Sequence, residues 1–228
     1  MNLAQLSLGE QGTLMLSALV LLTSFALLAQ ARLVACIHVF AWQGALVGLV
    51  TALVALTADT PHLYISAALT LALKALLIPW MLHRLVRRLN MHRHVETLMQ
   101  PTVVLLFGAA LVIFSYVVVL PVERIELAAT RNILAISLAV VLVGLLMMVV
   151  RRQAVTQVIG FMSLENGLFL AAVAATRGMP LVVELGVAFD VLVAAVLFGV
   201  FFFQISESIE SLNVDRLNRL SETGEDDS

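Results

Sequence analysis

The sequence predicts an all-α protein, in which residues 1–228 form a single membrane domain, a polytopic bundle of about seven transmembrane helices. Of its 228 residues, 61% are hydrophobic and 12% are charged, whereas soluble domains contain about 25% charged residues. The apolar residues are grouped in runs near the length of about 20 residues that a helix needs to cross a bilayer. Short connections containing Pro, Gly, Asp or Arg separate these runs and indicate helix ends.

Seven candidate spans follow one another along the chain. The first run imitates a secretory signal peptide, but no Lys or Arg precedes it and it exceeds a signal core of about 7–15 residues. We therefore expect a retained helix. The predicted spans are residues 13–29, 33–57, 62–83, 101–120, 133–150, 155–175 and 181–203.

The distribution of arginine predicts that the N-terminus lies outside the membrane and the C-terminus inside. Cytoplasmic loops of membrane proteins carry an excess of Lys and Arg. With an odd number of spans and the N-terminus outside, nine arginines fall inside and three outside. The inner nine are residues 32, 84, 87, 88, 93, 151, 152, 216 and 219, and the outer three are residues 124, 131 and 177.

Three segments outside the spans have their own character. Residues 84–100 mix leucine and valine with arginine and histidine, which predicts a basic helix at the inner lipid surface. Residues 205–220 repeat apolar positions near helical spacing, which predicts an amphipathic tail helix packed against a partner. Residues 221–228 are polar and acidic, and we expect disorder there.

The composition also excludes several functions. A net charge of -2 gives no reason to expect a nucleic-acid partner. The single cysteine, Cys36, lies inside an apolar run, so the sequence contains no disulfide framework and no cysteine cluster for iron–sulfur ligation. The five histidines are scattered. We therefore expect no cofactor and no metal site.

Three ionisable residues lie in the middle of separate predicted spans. Lys74, Glu165 and Asp190 come about 9–12 residues into their helices, which places each about 14–18 Å deep in a hydrocarbon core about 30 Å thick. A charged side chain there costs about 2.5–3.5 kcal/mol and persists where it meets a partner or water. Glu184 falls in the first turn of the seventh span, where the helix dipole favours an anion. These residues are candidates for a proton relay, and a static ion pair of Lys74 with either mid-membrane acid is the alternative.

Other features of the same spans support a polar centre. Pro79 follows Lys74 by five residues, which predicts a local break in the third helix and a freed carbonyl near Ala75. Gln43 in the second span and Asn166 beside Glu165 are expected to extend hydrogen bonds between helices. Plain helix packing is the alternative explanation for each. Gly160 and Gly167 flank the glutamate and are expected to permit close helix approach.

Several motifs resemble the hydrogenase 4 component E family. They are RRQAVTQVIGFMSLENGLFLA, VELGVAFDVLVAAVLFG and SLNVDRLNRL in the last third of the chain, and LALKALLIPWML and FAWQG in the third and second spans. The part from 133 to 204 further resembles the K subunit of respiratory complex I and the C subunit of multisubunit Na+/H+ antiporters. Met162 stands where the complex I subunit has its glutamate, and Glu165 comes three residues later.

The resemblance implies a non-catalytic membrane subunit of a proton or sodium translocating oxidoreductase assembly in a bacterial or archaeal cytoplasmic membrane. Its implied partners are antiporter-like subunits and a membrane protein like the complex I H subunit. In such an assembly Lys74, Glu165 and Asp190 would form the relay, with Glu184 at its outer entrance or in contact with a partner. A stand-alone secondary transporter and a static membrane scaffold remain the alternatives.

Overall fold

The described residues of this computed structural model are 7–58, 61–88, 95, 97–121, 128–176, 186, 188–197 and 199. They form eight α-helices and one π-helical segment, numbered here in chain order. The elements are α1 (Leu8–Ala29), α2 (Leu33–Ala58), α3 (Pro61–Thr70), the π segment (Leu71–Leu77), α4 (Ile78–Arg88), α5 (Pro101–Val119), α6 (Ala128–Val150), α7 (Ala154–Thr176) and α8 (Ala188–Leu197).

The prediction of an all-α transmembrane bundle is confirmed. Among the described residues, six helices are long and apolar enough to cross a membrane. The third of them runs without interruption from α3 through the π segment into α4. Of the predicted seventh span, the structure describes chiefly α8, a shorter apolar helix. The inside–outside orientation stays a prediction.

The helix starts follow local chemistry. Ser7 caps α1 in a capping box, because its hydroxyl accepts from the Glu10 amide while the Glu10 carboxylate accepts from the Ser7 amide. Pro101 stands at the first position of α5, where a missing N–H leaves no hydrogen bond unmade. Residues 84–88 of the predicted basic segment belong to α4, whereas 89–94 and 96 lie outside the described residues, as do 205–220 and 221–228.

Two apolar clusters form the interior of the bundle. One joins the C-terminal end of α1 with α4, the N-terminal half of α2 and parts of α6, α7 and α8. The other joins the middle of α1 with the C-terminal half of α2 and the opposite parts of α6 and α7. Large apolar side chains of α5 point outward, as expected of a surface that a membrane span turns to lipid or to another subunit: Leu106, Phe107, Ile113, Phe114 and Val117.

Glycines let α6 and α7 pack backbone to backbone. A Cβ added at Gly144 would lie 2.6 Å from the Leu164 nitrogen and 2.9 Å from the Gly160 carbonyl oxygen. A Cβ at Gly167 would lie 2.8 Å from the Val141 nitrogen. Such close approach through small residues is a common basis of helix association in lipid. It fixes the position of α7, which carries Glu165 and Asn166.

A buried arginine closes one end of the bundle. Arg151 follows α6 and is 2% exposed. Its Nη2 donates to the carbonyl oxygens of Leu27, Leu28 and Gln30 at 3.2, 2.7 and 2.9 Å. Leu27 and Leu28 lie in the last turn of α1 and Gln30 directly follows it, so Arg151 binds the end of the helix at which the dipole favours a cation. Arg151 therefore holds the ends of α1 and α6 together.

The Gly144 contact predicts a specific loss of stability. Gly144→Ala should lower the stability of the folded protein by about 1–3 kcal/mol, because the added methyl group meets backbone atoms that cannot rotate away. The measurement is a thermal melt in mild detergent, followed by the fraction of monodisperse protein.

The matched control is Gly199→Ala, since a Cβ at Gly199 would have no atom of the described residues within 4 Å. Equal melting temperatures for the two variants would contradict the proposed packing of α6 against α7.

Candidate functional site

The π segment presents Lys74 to the interior of the bundle. Proline has no N–H, and its ring clashes with the carbonyl four residues earlier in an α-helix. Here the Ile78 amide donates to the Leu73 carbonyl, five residues back, so the turn before Pro79 is wider than an α-helical turn. Such π-helical turns often occur at functional sites. Lys74 itself is completely buried.

The Lys74 ammonium lies between three oxygen atoms from two other helices. Its Nζ is 2.9 Å from Glu165 Oε2 and 3.2 Å from Asp190 Oδ1. It also donates to Asn166 Oδ1 at 2.8 Å. Asp190 and Asn166 are completely buried, and Glu165 is 6% exposed. The structure therefore brings together the three ionisable residues that the sequence placed at one depth.

A chain of side-chain hydrogen bonds continues from Asn166 to α1. Asn166 Nδ2 donates to Gln43 Oε1 at 3.3 Å. Gln43 Nε2 in turn donates to the hydroxyl of Ser24 at 2.7 Å and to that of Ser163 at 3.0 Å. Together with the Lys74 contacts, this network links α1, α2, the π segment, α7 and α8.

Two glycines make room for the network. A Cβ at Gly44 would lie 2.7 Å from Lys74 Cβ and 3.0 Å from the Lys74 carbonyl carbon, so α2 reaches the π segment only because residue 44 has no side chain. A Cβ at Gly186 would lie 2.7 Å from Phe169. The Phe169 ring lies beside the cluster, with its centroid 5.5 Å from Lys74 Nζ, a distance at which its π face attracts the cation.

The polar cluster lies between the two apolar clusters of the bundle. On α2, Gln43 stands between Phe40 of one cluster and Val47 of the other. On α7, Met162 of the first cluster and Phe169 of the second flank Glu165 and Asn166 in the same way. The charged groups therefore occupy a polar layer of the bundle, with one apolar cluster on each side of it along the helix axes.

The charges of the cluster do not balance when every group is ionised. Lys74 contributes one positive charge, whereas Glu165 and Asp190 contribute two negative charges. Their second oxygens, Glu165 Oε1 and Asp190 Oδ2, have no hydrogen-bond donor among the described residues. The described residues contain no group of three metal-ligating side chains. One additional small cation would balance the charge of the cluster, and the proton is the simplest such cation.

The chain has a close relative of unassigned function. It is 33% identical over 187 residues to the uncharacterized protein Rv0085 of Mycobacterium tuberculosis, a match that covers 82% of this chain and 85% of that protein. The chain belongs to the family of Rv0085. No family model matches the sequence, and no solved structure matches it.

The chain also has more distant relatives with an assigned name. It is 28% identical over 159 residues to hydrogenase-4 component E of Escherichia coli, covering 70% of this chain and 74% of that protein. The protein of the same name from Shigella flexneri gives the same values. The predicted relationship to hydrogenase 4 component E is therefore supported at a distance, whereas the likeness to the complex I K subunit stays a prediction.

The polar network contains residues that the sequence alone did not single out. Ser24, Ser163 and Gly44 join the network, yet serines and glycines are frequent in membrane helices and none of them stands out in one sequence. The spacing of Ser163 and Asn166, three residues apart on α7, was the available signal. Glu184, the predicted outer entrance, lies outside the described residues.

The network predicts that replacing Asn166 lowers the stability of the protein. Asn166→Leu should cost about 1–3 kcal/mol, because Lys74 and the Gln43 oxygen lose buried hydrogen-bond partners at once. A thermal melt of the purified protein in detergent measures the loss.

Ser137→Ala is the matched control, since the buried Ser137 hydroxyl donates to the Ile133 carbonyl of its own helix. A melting temperature for Asn166→Leu equal to that of the control would show that the network does not hold the helices.

Proposed function

We propose that this chain is a non-catalytic membrane subunit of a proton or sodium translocating oxidoreductase assembly, like hydrogenase 4 or complex I. Its role is to contribute Lys74, Glu165 and Asp190 to an ion relay between antiporter-like subunits. The observation that carries the proposal is the meeting of one buried cation and two buried carboxylates from three spans. The distant relationship to hydrogenase-4 component E supplies the kind of complex.

The position of the cluster supports an in-plane relay. Because apolar layers lie on both sides of it, an ion reaching Glu165 or Asp190 from within this chain alone would have to cross hydrocarbon. A relay that runs sideways, from one membrane partner to the next, avoids that cost. Glu184 is proposed as the outer entrance or a contact with a partner, and the C-terminus is proposed to face the cytoplasm.

The partners proposed for this relay are antiporter-like membrane subunits and a membrane protein like the complex I H subunit. The outward apolar side chains of α5 give such partners a surface that is compatible with packing inside the lipid. The chain itself would carry no redox chemistry in the assembly, because its only cysteine, Cys36, is buried and unpaired.

A static scaffold is the second candidate, and one observation favours it. The same network that surrounds Lys74 links five spans, so its contacts would hold the bundle together even if no ion moved. Breaking a buried pair by removing one partner costs about 3–5 kcal/mol. The two candidates differ in what happens to assembly when the cluster is changed.

The relay predicts lost coupling with retained assembly. Glu165→Gln and Lys74→Met should lower ion transport coupled to electron transfer by about a hundredfold, the lower end of what a positioned proton-transfer group contributes. Transport is measured in inverted membrane vesicles. Assembly is measured by co-purification of the partner subunits in mild detergent.

Glu10→Gln is the control, because it changes a partly exposed acid at the start of α1 and keeps the capping box. Loss of assembly in both cluster variants would favour the scaffold. A solitary protein that transports ions in liposomes would favour a stand-alone transporter.

A further inference from the structure

The orientation of two amide groups determines how Lys74 is bound. Gln43 uses both hydrogens of its Nε2 on the hydroxyls of Ser24 and Ser163. Its Oε1 therefore faces Asn166 and accepts from the Asn166 nitrogen. As a result, the Asn166 oxygen and not its nitrogen faces Lys74. A reversed amide would place two donors, Nδ2 and Nζ, against each other.

Three oxygen atoms around one nitrogen match an ammonium group. An ammonium donates three hydrogen bonds and accepts none. Lys74 Nζ has three oxygens at 2.8–3.2 Å, from Asn166, Glu165 and Asp190. A neutral amine would have only two hydrogens for them. One hydrogen bond to Asn166 and two carboxylate oxygens at salt-bridge distance favour the charged form of Lys74, and we therefore take it to be a fixed cation.

A fixed cation leaves one negative charge without compensation when both acids are ionised. A bare charge buried in a membrane interior is strongly unfavourable. Two carboxylates at one site cannot both ionise readily, and such a pair takes up its protons in separate steps. Arg151, the other buried charged residue described, binds the end of α1 and so does not supply the missing charge.

We propose that Glu165 and Asp190 form a binding site for one proton, which the two carboxyl groups share while Lys74 stays charged. The oxygens available to that proton are Glu165 Oε1 and Asp190 Oδ2, which lack donors among the described residues. The cluster is then neutral as a whole. The proton count concerns the resting cluster and holds whether or not the proton moves on, so it is separable from the proposed relay.

Infrared spectroscopy of the full-length protein in lipid nanodiscs tests the proposal. A protonated carboxyl group gives a carbonyl stretching band that an ionised carboxylate lacks. At neutral pH the unaltered protein should show one such band. Glu165→Gln and Asp190→Asn should each abolish it, because the remaining acid then pairs alone with Lys74. Lys74→Met should double it, since both acids lose their cation.

Glu10→Gln is the control, and it should leave the band unchanged. Carbon-13 NMR of the unaltered protein with labelled Asp and Glu side chains counts protonated carboxyls directly. That count keeps the proposal testable if a variant fails to fold.

Three results would overturn the proposal. Absence of the band in the unaltered protein means that water or another ion balances the charge. Two protonated acids mean that Lys74 is neutral. A band that grows only when sodium is removed means that sodium occupies the site. Normal ion transport in variants that show the predicted band pattern would instead contradict the relay and leave the shared proton in place.

Discussion

The interaction on which the structure depends is the binding of the Lys74 ammonium by three oxygens inside the membrane. A buried ammonium needs hydrogen-bond acceptors around it, and here the protein supplies oxygens to it. Asn166, Glu165 and Asp190 supply them from α7 and α8. That requirement fixes how the π segment, α7 and α8 meet, and Gln43 extends the same constraint to α2 and α1.

The backbone is shaped to meet this requirement. The wide turn before Pro79 and the bare Gly44 bring the π segment against α2, while the glycines between α6 and α7 set the depth and rotation of Glu165. Arg151 plays the corresponding part at one end of the bundle, where it binds carbonyl oxygens at the C-terminal end of α1. In both places, a buried cationic side chain contacts polar groups of other helices and so holds those helices together.

The sequence was sufficient to predict the spans and the depth of the charged residues. It was not sufficient to predict which side chains contact one another. Run length and a rise of about 1.5 Å per residue gave the spans and placed Lys74, Glu165 and Asp190 at one depth. Depth does not give the rotation of a helix about its axis, which depends on packing. For that reason the sequence named Asn166 only as polar support, whereas the structure makes it a direct partner of Lys74. Arg151 was counted only as an inner loop charge, although it is buried.

The most direct test measures the distances around Lys74, which is the only lysine in the chain. A single nitrogen-15 label on lysine therefore reports one site. Solid-state NMR in lipid, with carbon-13 carboxyl labels on Glu in one sample and on Asp in a second, should show one carboxyl carbon in direct salt-bridge contact with Nζ in each. If neither sample showed a carboxyl carbon near the lysine nitrogen, the polar centre would not exist as described, and the relay and the shared proton would both lose their basis.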